Sequence, residues 1–356
     1  MTPISLLVIV LCPFLVLAAP TIRSPQKLPD GMPNPDFEQL CDIQRRAHGT
    51  LPGLPLPETI SDEGITNLQL IAFNELFEVA FFYELLSNVT DRVEGYTFPT
   101  PEDRQFAISS LKAILGQEEV HALTANDALK HFDVAPIQPC EYIFPVTTFD
   151  AAIELAATFT DLVLGTLQDV TQRFAEGGDA GLIRVIAATI GNEGEQEGWF
   201  RVLQRKIPSE VPTLTTSDVN FAFSAVNAFV VKGTCPNLSE IKLKILPELK
   251  VLEHPGPKSQ TIKVTWALYD IEQSAALRPA NLWLTYINQL NPPITERLDV
   301  ISFDGRTVVG QAYFPYNEHL MNGLTIAVVA MTPGPFANVT EVARQTHAGP
   351  GLIIVN

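Results

Sequence analysis

Apolar residues recur at helical spacing through the first two thirds of the chain and at strand spacing after about residue 245. Leu68, Ile71, Ala72, Val79, Phe82 and Leu86 form one stripe of a helix running to about Val89, with Ser61 or Asp62 as its cap. Leu111, Ile114, Leu115, Ala122, Ala125 and Leu129 predict a second helix, capped near Thr100 and ending before Phe132. A third starts at Thr148 or Asp150, carries Ile153, Ala157, Thr160, Leu164 and Leu167 on its apolar side, and stops at Glu176-Gly-Gly178. A fourth opens at Gly181 and reaches about Lys206 through Ile183, Ala187, Ile190 and Trp199. A shorter fifth, Ser217 to Val231, is apolar on most sides and should be largely covered. Helices of this length with these connections form a bundle.

The later runs are β-branched or alternating: Thr261–Leu268, Leu282–Ile287, Leu298–Phe303, Arg306–Phe314, Leu324–Met331 and Leu352–Val355. Asp304-Gly305 is a hairpin turn signal between two of them. Short strands separated by turn residues predict a small antiparallel β-sandwich. The expected class is therefore α+β in two domains, a helical bundle with an extra helix over residues 61–235 and a β-sandwich over 245–356. A proline-rich leader, 20–60, with little periodicity should run extended over the surface.

Residues 1–19 resemble a secretory signal, an apolar run ending in Ala18 and Ala19 but without a basic start. Three sequons, at Asn88, Asn237 and Asn338, agree with that route and mark candidate glycosylation sites. Past the signal nothing is long enough to span a bilayer, so a secreted, extracellular or cell-wall location is expected, with no membrane partner after cleavage. A net charge of −17, from 40 acidic against 23 basic residues, argues against nucleic acid. Cys41, Cys140 and Cys235 remain after the signal. Cys140 and Cys235 both lie in Pro-flanked connections and are the favoured disulfide, which would stabilise by about 4–5 kcal/mol in a chain-entropy account. The alternative pairs Cys41 with either of them.

The chemistry lies inside the helical stripes. Glu75 interrupts the first, with Glu78 as a less buried neighbour, while Glu118 and His121 fall three residues apart on the buried side of the second. On the fourth helix Asn192-Glu-Gly-Glu-Gln-Glu-Gly198 places Glu193 and Gln196 at the same spacing, with Glu195 and Glu197 expected in solvent. A carboxylate-bridged di-metal centre uses a Glu from two helices and a Glu-x-x-His pair from the other two. Thr160 occupies the expected level of the third helix, so Asp161 or a water would have to complete the shell. Either a cation offsets the buried charge, or protonation keeps the cluster neutral with Gln196 donating to Glu118 or Glu75.

Glu75-Leu-Phe-Glu-Val-Ala-Phe-Phe-Tyr83, Glu118-Glu-Val-His121 and Asn192–Arg201 resemble the ferritin-like domain of secreted fungal proteins linked to late sexual development and nutrient-stress response, and more distantly plant desiccation-related proteins. The similarity runs from about Cys41 to Cys235. It implies a ferritin-like four-helix bundle with metal ligands at Glu75, Glu118, His121 and Glu193. Thr160 and Gln196 depart from the pattern, which implies a degenerate or atypical centre without committed turnover. The competing readings are a di-iron or di-manganese oxidase or peroxide-scavenging enzyme, and a surface module whose sandwich binds a cell-wall component or another extracellular protein. No ferritin-type cage is expected, since the sandwich and glycans would crowd the outer faces.

Overall fold

Side-chain caps set where the long helices begin. In the computed structural model, which describes residues 26–268 and 281–356, the Ser61 hydroxyl accepts from the Gly64 N–H and starts α2 (Asp62–Asp91). Thr100 does the same for Asp103 at the head of α3 (Pro101–His131), and Thr148 for Ala151 at the head of α4 (Phe149–Gly177). Gly178, at φ +84°, ends α4 in the left-handed conformation that glycine adopts without strain. A single 3₁₀ turn, Ala180–Leu182, leads into α5 (Ile183–Leu203), so Gly181 precedes that helix. The fifth expected helix is shorter than its apolar run: α6 spans Val219–Asn227. The signal expected over residues 1–19 lies outside the described residues.

The leader departs from the extended course expected for it. Phe37–Ala47 forms a helix, α1, opened by a reciprocal capping box between Asp36 and Gln39. Prolines at 29, 33 and 35 mask that signal in the sequence. The helix crosses α3 at Gly116, where an added Cβ would lie 2.7 Å from the Ala47 nitrogen. Arg46 clamps the crossing, donating to Asp30 at 2.7 Å and to the buried Glu119 at 2.9 Å.

α2 is the central helix. Every residue from Asn67 to Phe82 is buried, so the single stripe read from its spacing understates it. Its outer face is covered by α6, where Phe73 meets Phe223 at 5.4 Å, and by the connection after α3. Phe77 packs against Tyr142 and Phe144 of that connection, Phe159 of α4 and Phe229 beyond α6 at centroid distances of 5.2–5.6 Å, each pair worth about 1 kcal/mol beyond its buried area. The Cys140–Cys235 disulfide joins that connection to the chain beyond α6, and Cys41 on α1 is free.

Two four-stranded antiparallel sheets follow. One orders its strands β1 (Leu249–Val251), β2 (Gln260–Ala267), β6 (Thr307–Phe314), β5 (Asp299–Phe303); the other β4 (Ile294–Arg297), β3 (Trp283–Asn288), β7 (Gly323–Ala330), β8 (Thr346–Val355). Two short helices complete the domain, α7 (Tyr316–His319) and α8 (Val339–Gln345). The short strands β1 and β4 escape a periodicity reading. At the β5–β6 hairpin the Asp304 N–H donates to the Thr307 carbonyl, so the two-residue loop is Gly305-Arg306, one position later than expected. Ile262, Val264 and Trp266 of one sheet and Leu284, Tyr286 and Val329 of the other share one core. The opposite face of β7, through Leu324, Ile326, Val328 and Ala330, packs with Leu162 of α4 and Phe221 of α6. The second sheet is thus a middle layer, which explains why all eight residues of β7 are buried.

Backbone contact closes this junction. The Ser217 N–H donates to the Gly165 carbonyl on α4, and the Thr215 hydroxyl donates to the Leu324 carbonyl of β7. A Cβ at Gly165 would fall 2.2 Å from the Thr215 oxygen. Helix propensity alone favours alanine over glycine by about 1 kcal/mol. We expect the reverse sign for Gly165→Ala, a loss of about 2 kcal/mol or more from overpacking, read from the urea midpoint. A stabilised variant would show that the α4 contact is looser than it stands here.

Candidate metal centre

Three helices bring ionisable side chains to one buried point. α2 supplies Glu75 and Glu78, α3 supplies Glu118 and His121, and α5 supplies Glu193 and Gln196, each pair three residues apart and so on one helix face. Glu75, Glu118, His121 and Glu193 each offer a ligand atom, and these atoms all lie within 4.8 Å of one another. His121 Nδ1 stands 3.1 Å from Glu118, 3.4 Å from Glu75 and 3.5 Å from Glu193. It can hold one hydrogen, so at most one of the three carboxylates receives it.

Gln196 supplies the other donor. Its amide nitrogen lies 2.6 Å from Glu118 Oε1, with Gln117 and Asn192 as further acceptors at 3.2 and 3.4 Å. Glu118 is therefore satisfied on both oxygens. Both oxygens of Glu75, Glu78 and Glu193 are buried without a hydrogen-bond partner. Glu78, expected to be less buried, is fully enclosed; the whole of α2 is covered at this level, which a stripe reading does not anticipate.

Burial dominates the electrostatics. It raises the Glu75 carboxyl from its ordinary 4.5 to about 7, with the neighbouring His121 pulling the other way. Glu193 rises to about 8 through burial and repulsion from Glu118. Glu78 is pushed well above its ordinary value by burial and by Glu193, Glu118 and Glu75. Burial alone would lower the His121 imidazole, but Glu118 and Glu75 outweigh it and hold it well above its usual range.

The residues fit a cation. Carboxylates left without hydrogen-bond donors, together with one imidazole nitrogen, make an oxygen-rich mixed donor set suited to divalent first-row metals. The four candidate ligands read from the sequence meet; of the other two named there, Gln196 reaches one of them and Asp161 turns away. Gln196 donates to Glu118 through its amide nitrogen, while its amide oxygen is buried without a hydrogen-bond partner. Asp161 turns to a second buried group, where Glu210, Arg201 and Lys206 are its charged neighbours. Thr160, one position before it, is buried with its hydroxyl unpartnered. Glu197, expected in solvent, is only 4% exposed and joins the Asp161 group. Spacing misses this because the chain from 207 to 210 folds back on α5, with Arg201 donating to the Ile207 carbonyl and to Glu210.

A cleft of about 790 Å³ reaches the centre, with Glu75 and His121 on its wall between α3, α5 and residues 47–56. His121 keeps 13% exposure there. Of the sequons, Asn338 is exposed as the cap of α8, while Asn237 is half-buried and bonded to Gln138 and Pro136; Asn88 is half-buried near the end of α2. Comparison with known proteins finds no family model and no curated protein that matches this chain.

The raised values give the metal-free protein a pH signature. Between the ordinary 4.5 of a glutamate and the values of about 7 and about 8 for Glu75 and Glu193, the folded state binds more protons than the unfolded chain. Stability is therefore full at low pH and lost as pH rises through that window, and the raised His121 acts in the same sense. In metal-free protein we expect the urea midpoint to fall between about pH 5 and about pH 8.5, and the fall to be shallower in Glu75→Gln. A midpoint that rises over this range would contradict the assignment.

Proposed function

We propose that this chain is a secreted ferritin-like metalloprotein whose centre holds iron or manganese through Glu75, Glu118, His121 and Glu193. The observation that carries this is the shortage of donors. Four buried carboxylates converge on two donor side chains, and only Glu118 is satisfied. A divalent cation offsets both the mutual repulsion and the unmet acceptors. An iron or manganese ion there would supply Lewis acidity and a one-electron redox step.

The chain's own residues prepare for it. Gln196 fixes the orientation of Glu118 through one oxygen, leaving His121 to choose between holding a proton for the other and turning its nitrogen to the ion. Glu78 holds a further carboxyl close by in a dry site. With Thr160 in place of a carboxylate and Asp161 engaged elsewhere, α4 adds no ligand, in keeping with an atypical centre. The resemblance in sequence suggests a role in stress response or sexual development, and the disulfide agrees with an oxidising compartment. None of the described helices is long and apolar enough to cross a membrane. The sheet packed on α4 and α6 crowds that outer face of the bundle, in keeping with a protein that forms no cage. A partner in the cell wall or outside the cell would be met through the sandwich.

The second reading, a di-metal oxidase or peroxide-scavenging enzyme, gains from the cleft, because a purely structural ion needs no opening. Metal analysis of purified protein tests the shared premise. We expect iron or manganese bound by wild type, lost in Glu118→Ala with helicity unchanged, and held about tenfold more weakly or worse in Gln196→Ala. Wild type that stays metal-free after anaerobic reconstitution with either metal would overturn the proposal.

A further inference from the structure

We infer that the cleft beside Glu75 and His121 is the centre's substrate pocket and takes an uncharged, largely apolar molecule. This rests on reading the cluster as a metal centre. The cleft's volume of about 790 Å³ falls within the range of pockets that enclose small organic ligands, about 300–1,000 Å³.

Its wall is apolar for a specific reason. Leu51 and Leu56 line one side, Val120 and Ala128 of α3 a second, and Val185 and Ile186 of α5 a third. Thr124 and Thr189 also face the cleft, but their hydroxyls donate to the carbonyls of Val120 and Val185, one turn back on their own helices. Both hydroxyls are engaged, so the threonines add little free polarity to the wall. Asp127 is paired with Lys130 at 2.9 Å and calls for no cation from a ligand. Of the basic side chains on the wall, Arg184 and His48 are exposed to solvent, and His121 at the inner end already faces Glu75, Glu118 and Glu193, so among the described residues no cation is left over deep in the cleft for an anionic ligand. Repulsion from the Glu75 carboxylate and from a net charge of −17 disfavours anions further.

The covering strand of chain is built in. Residues 51–57 carry three prolines, which limit its freedom. Its ends are tied down, the Leu51 N–H donating to Gln44 at 3.1 Å and His131 meeting the Pro57 carbonyl at 2.9 Å. On the facing side Arg184 and Ala188 of α5 line the cleft and are exposed, so the opening lies along the first half of that helix. A molecule entering there has its inner end at Glu75 and His121, the two ligands that share the wall.

The test uses the neutral dye Nile red and the full chain. Saturable one-to-one binding is expected, displaced by 1-decanol at least tenfold better than by decanoate. Ala188→Trp, at an exposed wall position that tolerates bulk, should weaken dye binding at least tenfold while metal content stays at the wild-type level. Thr124→Phe, from the opposite wall, should act alike. Glu118→Ala should remove the metal and leave dye binding intact, so that loss of the centre and loss of the pocket are separate results. Dye binding that survives both filling variants, or decanoate competing as well as decanol, overturns the inference. If wild type binds dye as described but never binds metal, the metal reading fails while the cleft stands as an apolar ligand site.

Discussion

Glu75, Glu78, Glu118 and Glu193 share a buried space in which His121 and Gln196 are the donors within reach. Taking such charges out of water costs several kcal/mol per ion after relaxation, and the fold retains them. Two states relieve the cost. Protonation makes the carboxyls neutral, which the upward shifts of Glu75 and Glu193 describe. A divalent cation does the same while keeping them ionised, and it also serves the oxygens that lack hydrogen bonds.

Much of the surrounding architecture holds this point in place. α2 carries two of the carboxylates and is enclosed along sixteen consecutive positions, Asn67 to Phe82, so neither glutamate can swing into water. The aromatic cluster around Phe77 and the cover from α6 supply the packing on its outer side. α1 is clamped over Gly116, one residue before Gln117 and two before Glu118, by the Arg46 pair with Asp30 and Glu119. Burial raises the Glu119 carboxyl to about 9, so this clamp too couples packing to protonation.

α4 has a different task. It offers no carboxylate to the centre and instead seats the second sheet through Leu162 and the close approach at Gly165. Its Asp161 joins Glu197, Glu210 and Arg201 at the same junction, where Arg201 also reaches Asn356 at the end of the described chain. The two acidic groups are thus separated by role. One is starved of donors and opens on a cleft; the other is partly neutralised by a guanidinium that donates to three partners.

The sequence alone determined what depends on near neighbours. Helix starts at Ser61, Thr100 and Thr148 came from capping residues that act within one turn, and the ligand pairs from the three-residue spacing that puts both members on one face. The longer strands were legible because β-branched runs and alternation are local properties, whereas the cover on both faces of β7 came only with the helices packed behind it. Tertiary structure decided the rest. Whether Glu78 and Glu197 are wet or dry depends on what packs against them, Glu78 facing Glu118 of α3 and Glu193 of α5 inside the bundle and Glu197 lying under residues 207–210, and helix periodicity carries no information about such neighbours. Whether Asp161 completes the centre depends on the rotation of α4 about its axis, which the sheet packed behind it sets. The cleft belongs to no single segment; it exists because α3, α5 and a proline-stiffened loop fail to close over Glu75 and His121.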